Sequence, residues 1–136
     1  MGETMKIVIV LDPELPRGLL ANAAAALAFS VSPAVPDGVG GPVRDAQGGL
    51  HPGITRIPLP ILACGRAQLS ELRRKATAEG VACVDFCDVA QRARRYEDYA
   101  AELGRRPEAE LSYLGLCLYG EPAAVQRLTG QLPLVR

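Results

Sequence analysis

The sequence predicts an α/β domain, a largely parallel sheet with helices on both faces. Three observations carry this. Apolar runs of strand length alternate with runs of helix length along the chain. The first run, Lys6-Ile-Val-Ile-Val-Leu11, lacks the apolar–polar alternation of a half-exposed strand and reads as a central strand covered on both sides. The stretch from Leu19 to Phe29 holds the unbroken alanines Ala23 to Ala26, a thin helix that can lie close on a sheet.

Between these two, Asp12-Pro-Glu-Leu-Pro-Arg-Gly18 is a bent connection, because Pro13 and Pro16 prevent an early helix start. Residues 35–53 then hold the chain's densest run of turn formers. Within this Gly/Pro-rich insert, Asp45-Ala-Gln-Gly-Gly49 is expected to be a hairpin tip with Val43 and Leu50 on short arms. A second strand is expected within Ile54–Cys64, at a sheet edge, since Pro58 and Pro60 cannot donate to a ladder. Gly65 leads to a helix over Arg66–Glu79 whose buried stripe is Leu69, Leu72 and Ala76, closed by Gly80. Val81–Phe86 is the third strand, Arg92–Leu103 the third helix, and Leu111–Tyr119 the fourth strand. Pro122 suits the first turn of a short last helix over Ala123–Leu128, and Leu132–Val135 is an apolar tail.

The 136 residues suit one domain, 1–136. Lys plus Arg balance Asp plus Glu at 15 each, which argues against a dedicated nucleic-acid binder. The first residues carry no basic flank and the first apolar run is too short for a signal core or a membrane span, so a cytoplasmic protein is expected. Cys64, Cys83, Cys87 and Cys117 lie in or beside apolar runs and read as reduced, buried thiols. Cys83 and Cys87 lack the spacing of a zinc knuckle, so no metal or other cofactor is expected. Neither a Walker loop nor Gly-x-Gly-x-x-Gly is present.

Ligands of open α/β sheets bind beyond the carboxyl ends of parallel strands. Asp12 ends the first strand, and Asp85 and Asp88 end the third. Neighbouring strands would bring these carboxylates together near Arg17, Asn22 and Gln91, with His51 of the insert over the same rim. Grouped carboxylates serve as a general base, which makes Asp12, Asp85 and His51 the catalytic candidates. The plainer alternative is that Asp12 and Asp88 shape turns and helix starts. Arg92, Arg94 and Arg95 read as a solvated basic face or a contact for phosphates.

Gly120-Glu-Pro-Ala-Ala-Val-Gln-Arg-Leu-Thr-Gly-Gln-Leu-Pro-Leu134 resembles the closing segment of the type 2 peptidyl-tRNA hydrolase superfamily, and Lys6–Leu11 with Gly18 and the alanine helix resembles its opening. Asn22, His51-Pro-Gly53 and Tyr96-Glu-Asp-Tyr99 are similar to features of the domain of unknown function two-thousand family within it. The resemblance implies a three-layer α/β/α fold around a four-stranded, mostly parallel mixed sheet. It also adds Gly18, Tyr96 and Thr129 to Arg17, Asn22, Asp88 and Gln91 as binding candidates. The hydrolase chemistry does not carry over intact. Leu19 stands where the superfamily has its lysine, and Asp85-Phe-Cys-Asp-Val-Ala-Gln91 keeps an Asp and a Gln but lacks the Gly and Thr of the second motif. Leucine can neither donate a proton nor hold an ester oxygen.

The expectation is therefore a protein that keeps the hydrolase fold without its lysine and binds a small molecule at the strand ends. Two alternatives stay open: a peptidyl-tRNA ester hydrolase, and a non-catalytic homodimeric interaction module using the fourth strand and the apolar tail.

Overall fold

The computed structural model describes residues 5–136. In chain order the elements are β1 (Lys6–Leu11), α1 (Arg17–Val31), β2 (Val43–Arg44), β3 (Leu50–His51), β4 (Ile61–Ala63), α2 (Arg66–Ala78), β5 (Ala82–Cys87), α3 (Asp88–Arg92), α4 (Tyr96–Leu103), β6 (Tyr113–Gly120) and α5 (Pro122–Thr129). Short 3₁₀ turns sit at Ser32–Ala34 and Glu108–Glu110.

The main sheet has the order β4-β1-β6-β5. The expectation of a mostly parallel sheet is corrected here. Only β1 and β4 pair in parallel, while β6 is antiparallel to both β1 and β5. Helix length explains the difference. The 15 residues of α1 and 13 of α2 are long enough to carry the chain back along the sheet before the next strand. The expected single third helix is instead α3, with 5 residues, and α4, with 8, broken at Ala93–Arg95. At about 1.5 Å per residue, α4 covers only ~12 Å. The chain therefore stays at the end of the sheet where β5 finished, and β6 starts there and runs the opposite way. As a result the carboxyl ends of β1, β4 and β5 and the start of β6 share one sheet end.

β1 is as buried as its sequence implies, with Ile7 through Leu11 at 2% exposure or less. One face of the sheet, through Ile7, Ile9, Leu11 and Cys117, packs on Ala23, Leu27 and Val31 of α1. The other, through Val8, Val10, Leu116 and Leu118, packs on Leu69, Leu72 and Ala76 of α2 and Val125 and Leu128 of α5. The small alanine face of α1 has its counterpart in Gly115 of β6. A Cβ there would stand 2.5 Å from Leu11 Cδ2 and 3.1 Å from Leu27 Cδ1, so a missing side chain lets α1 approach the sheet.

The insert forms the expected hairpin. Val43 pairs with His51 and Arg44 with Leu50, around a turn in which Asp45 Oδ1 accepts the N–H groups of Gln47 and Gly49. Gly40 N–H to Ile54 O and Arg56 N–H to Gly38 O extend the ribbon toward its root. Every residue from 41 to 52 is exposed. The two prolines shorten the second expected strand to β4, three residues long. The apolar tail covers the outer edge of β4, with Ala63 N–H donating to Pro133 O and Val135 N–H to Ile61 O. No helix among the described residues is long and apolar enough to cross a membrane.

Candidate functional site

The shared strand end is polar, as the sequence implies, but its groups are spent on one another. Asp12 is 4% exposed. Its Oδ1 accepts the Glu14 N–H at 2.9 Å, closing the turn that the Asp-Pro sequence favours, and its Oδ2 accepts Arg66 Nε at 2.7 Å. Arg66 Nη1 continues to Ser112 Oγ at 3.2 Å. Asp88, at the first position of α3, accepts the backbone N–H groups of Val89 and Ser112 and pairs with Arg92, which also holds Glu102. Burial pulls the Asp88 carboxyl upward, but the N–H groups of Ser112 and Val89 together with Arg92 outweigh it and the net shift is downward.

Asp85 does not join Asp12. It lies level with Leu116, which is level with Val10, and its carboxylate is 3.1 Å from Arg73 Nε on α2. Arg73 also stands 3.7 Å from Glu108 and 5.3 Å from the Tyr113 ring centre, so this cluster ties α2 to β5 and to the loop before β6. Arg17, Gly18 and Asn22 occupy the exposed first turns of α1, and Gln91 is exposed on α3. His51 stands on the exposed ribbon, where Nε2 is 2.8 Å from Asp45 Oδ2. That contact, with the N–H groups of Gly49 and Gln47, lowers the Asp45 pKa. Thr129 is buried and its hydroxyl donates to Val125 O within α5. Of the expected rim, Asp12 and Asp88 are linked through Arg66 and Ser112, whereas Asp85 is held by Arg73 and His51 by Asp45.

A concavity lies elsewhere. A cleft of about 460 Å³ opens between α1, β5 and the Ala93–Tyr99 stretch. Ala26 and Ser30 of α1 form one wall, Val84 and Phe86 the floor, and Arg94, Arg95, Tyr96 and Tyr99 the opposite wall. The tyrosine rings lie 5.6 Å apart at 60°, in a tilted pair, and Tyr96 is 76% exposed. Burial and the nearby Asp85 push the Tyr99 pKa up, so its hydroxyl keeps its proton at neutral pH. The Ser30 hydroxyl donates to Ala26 O, which leaves its oxygen free to accept. Arg95 is held at both ends by Asp98. Arg94 makes no ion pair or side-chain hydrogen bond among the described residues, so it is the uncommitted cation of the cleft. Between α2 and α5, Cys64, Gln68, Glu71 and Lys75 line a second concavity of about 220 Å³.

Sequence reasoning picks out Tyr96 and Asp85 but misses the cleft, which rests on α1 lying beside β5 and on the break at Ala93–Arg95. The adjacent Arg94 and Arg95 are its visible signal. No group of three or more His, Cys, Asp or Glu converges as a metal site among the described residues.

The sequence profile of the family described as "Protein of unknown function (DUF2000)" matches residues 5–136. The chain belongs to that family. No curated protein matches. Among solved structures, the chain is similar to a protein of unknown function, Atu0240, from Agrobacterium tumefaciens strain C58. The TM-score is 0.86 at 15% identity, with 96% of each chain covered, a likeness of fold.

Proposed function

We propose that this member of the family is a binding protein for a small organic molecule, which it takes into the cleft between α1, β5 and the Ala93–Tyr99 stretch. One observation carries the reading. A cleft of about 460 Å³ combines an apolar floor of Val84 and Phe86 with two tyrosines and Arg94, which makes no ion pair among the described residues. Binding sites of small molecules have this size and make-up, mostly apolar with a few polar groups that fix orientation. The strand-end carboxylates offer less, because Arg66 and Arg73 already occupy Asp12 and Asp85. The same pairing disfavours an ester hydrolase, whose general base would need one of these carboxylates free. Kinship with the type 2 peptidyl-tRNA hydrolases, with the lysine position taken by Leu19, belongs to this proposal. It is supported by the opening of β1 and α1 and by the Gly120–Leu134 segment.

The test uses the absence of tryptophan from the chain. Tyr96→Trp places one reporter at the mouth of the cleft. A library of small organic acids, amides and amines is screened by its fluorescence and by thermal shift. Binding that Ala26→Phe abolishes, by filling the cleft from α1, supports the reading. A screen with no hit, or hits indifferent to Ala26→Phe, overturns it.

A further inference from the structure

The two edges of the sheet are finished differently. At β4, the tail supplies main-chain partners at Ala63 and Ile61 and bridges Leu62 to Leu134. At β5, among the described residues, no backbone group from Ala82 to Phe86 bonds any backbone but that of β6. The cleft runs along this unfinished edge. It meets Val84, Asp85 and Phe86 in succession. Successive residues of a strand point to opposite faces, so a cavity that touches three in a row lies against the strand's outer edge as well as one face.

From this, and resting on the reading of the cleft as a small-molecule site, we propose the chemical class of its ligand: a small carboxylate that carries a secondary amide and an apolar group. An open edge presents alternating N–H and C=O groups, and an amide, donor and acceptor in one plane, satisfies both. The apolar group lies on Val84, Phe86 and Ala26. The carboxylate goes to Arg94, whose planar fork matches it in two hydrogen bonds. Asp85 disfavours negative charge beside Tyr99, so the carboxylate is placed at Arg94, and the two acidic groups nearby are each paired. Asp85 turns its carboxylate to Arg73 and Asp98 is neutralised by Arg95. Tyr99 keeps its proton and donates.

Three probes separate the parts of this claim in titrations followed by backbone amide NMR. N-acetyl-L-phenylalanine has the acid, the amide and the ring; its primary amide lacks the acid; 3-phenylpropionate lacks the secondary amide. The first is expected to bind and to move the Val84–Phe86 and Arg94–Tyr99 signals, and the other two to bind at least about tenfold more weakly, the scale of one charge-assisted or edge hydrogen bond. Arg94→Gln, an exposed position that leaves the fold intact, is expected to erase the preference for acid over amide. Equal binding of acid and amide, or of 3-phenylpropionate and the acetylated compound, overturns the assignment. If none of the three binds while another library compound moves the same signals, the ligand class is wrong and the cleft stands. If no compound moves them, both fall.

Discussion

Arg66 Nε sits 2.7 Å from Asp12 Oδ2 across 54 residues of chain, joining the carboxyl end of β1 to the first turn of α2. The two partners are unequally placed, since the side chain of Asp12 is 6% exposed and that of Arg66 48%. Removing either one has a different cost. Arg66→Met leaves a buried carboxylate with only the Glu14 N–H, and we expect a loss of about 2–3 kcal/mol. Asp12→Asn keeps an acceptor for that N–H and leaves an arginine that reaches water, costing about 1 kcal/mol. The double variant should be no less stable than Arg66→Met alone. Urea unfolding of the three variants measures this: equal costs of the two single variants would refute the asymmetry, and strict additivity would refute the coupling.

Gly115 and Gly18 make an opposed pair. A methyl at Gly115 collides with Leu11 and Leu27, so Gly115→Ala should cost about 1–3 kcal/mol through overpacking between α1 and the sheet. At Gly18, in the first turn of α1, a Cβ meets nothing within 4 Å, and Gly18→Ala should raise stability by about 0.5 kcal/mol through the lost freedom of the unfolded chain. Melting temperatures that move in the same direction would contradict this account.

Much of this architecture is legible in local sequence. The unbroken apolar run of β1, the Leu69–Leu72–Ala76 stripe and the Asp45–Gly49 turn each fix their own element, because hydrophobic period and turn chemistry act over a few residues. The direction of β6 is not legible in that way. It depends on how far the α3–α4 region travels, and nothing in Arg92–Leu103 announces that the helix breaks at Ala93. The setting of Asp85 is equally hidden. Asp85 looks like a strand-end residue only if the strand stops there, whereas β5 runs on to Cys87 and turns the carboxylate toward Arg73. Tyr96 does line the cleft, but its wall from α1 is a contact that no spacing in the chain reveals.

Asp88 gives the protein an acid-sensitive joint. Its pKa in the folded state lies below the ordinary 3.8, so its ionised form stabilises the fold. That contribution is fully present above the unfolded value and is lost as the pH falls through the folded value. Asp88→Asn keeps acceptors for the Val89 and Ser112 N–H groups but does not titrate. Its stability should fall less steeply than that of the parent between about pH 5 and 3. Parallel slopes in that range, by denaturant unfolding at a series of pH values, would show that Asp88 is not coupled to folding.

The cysteines should be slow to react. Burial, with Asp85 adding to it, pushes the Cys83 thiol up to about 12, and burial does the same to Cys117. Cys64 is raised as well, and Cys87 is fully buried. A thiol must ionise to attack, so a disulfide reagent at pH 8 should label the native protein over hours and all four thiols within seconds once it is unfolded. Rapid native labelling at Cys87 would point instead to a reactive site at the start of α3.

The tail bears on the contrast between the two sheet edges. Leu132–Val135 closes β4 by main-chain bonds at Ala63 and Ile61. Of its side chains, Leu134 is 53% exposed, while Leu132 is partly buried against the core on the α2 and α5 side. Truncation after Gln131 should leave the fully buried core residues in place and bare a three-residue edge next to β1. Bared edges recruit strands from other chains. We expect a loss of stability of about 2–3 kcal/mol from two backbone hydrogen bonds and the partly buried Leu132, together with concentration-dependent self-association. The full chain carries an open edge at β5 as well, but there the cleft walls of Ser30 and Tyr96 flank it. Light scattering distinguishes the cases. Self-association confined to the truncated chain supports the view that the tail guards β4, and equal association of both chains would move the sticky edge to β5.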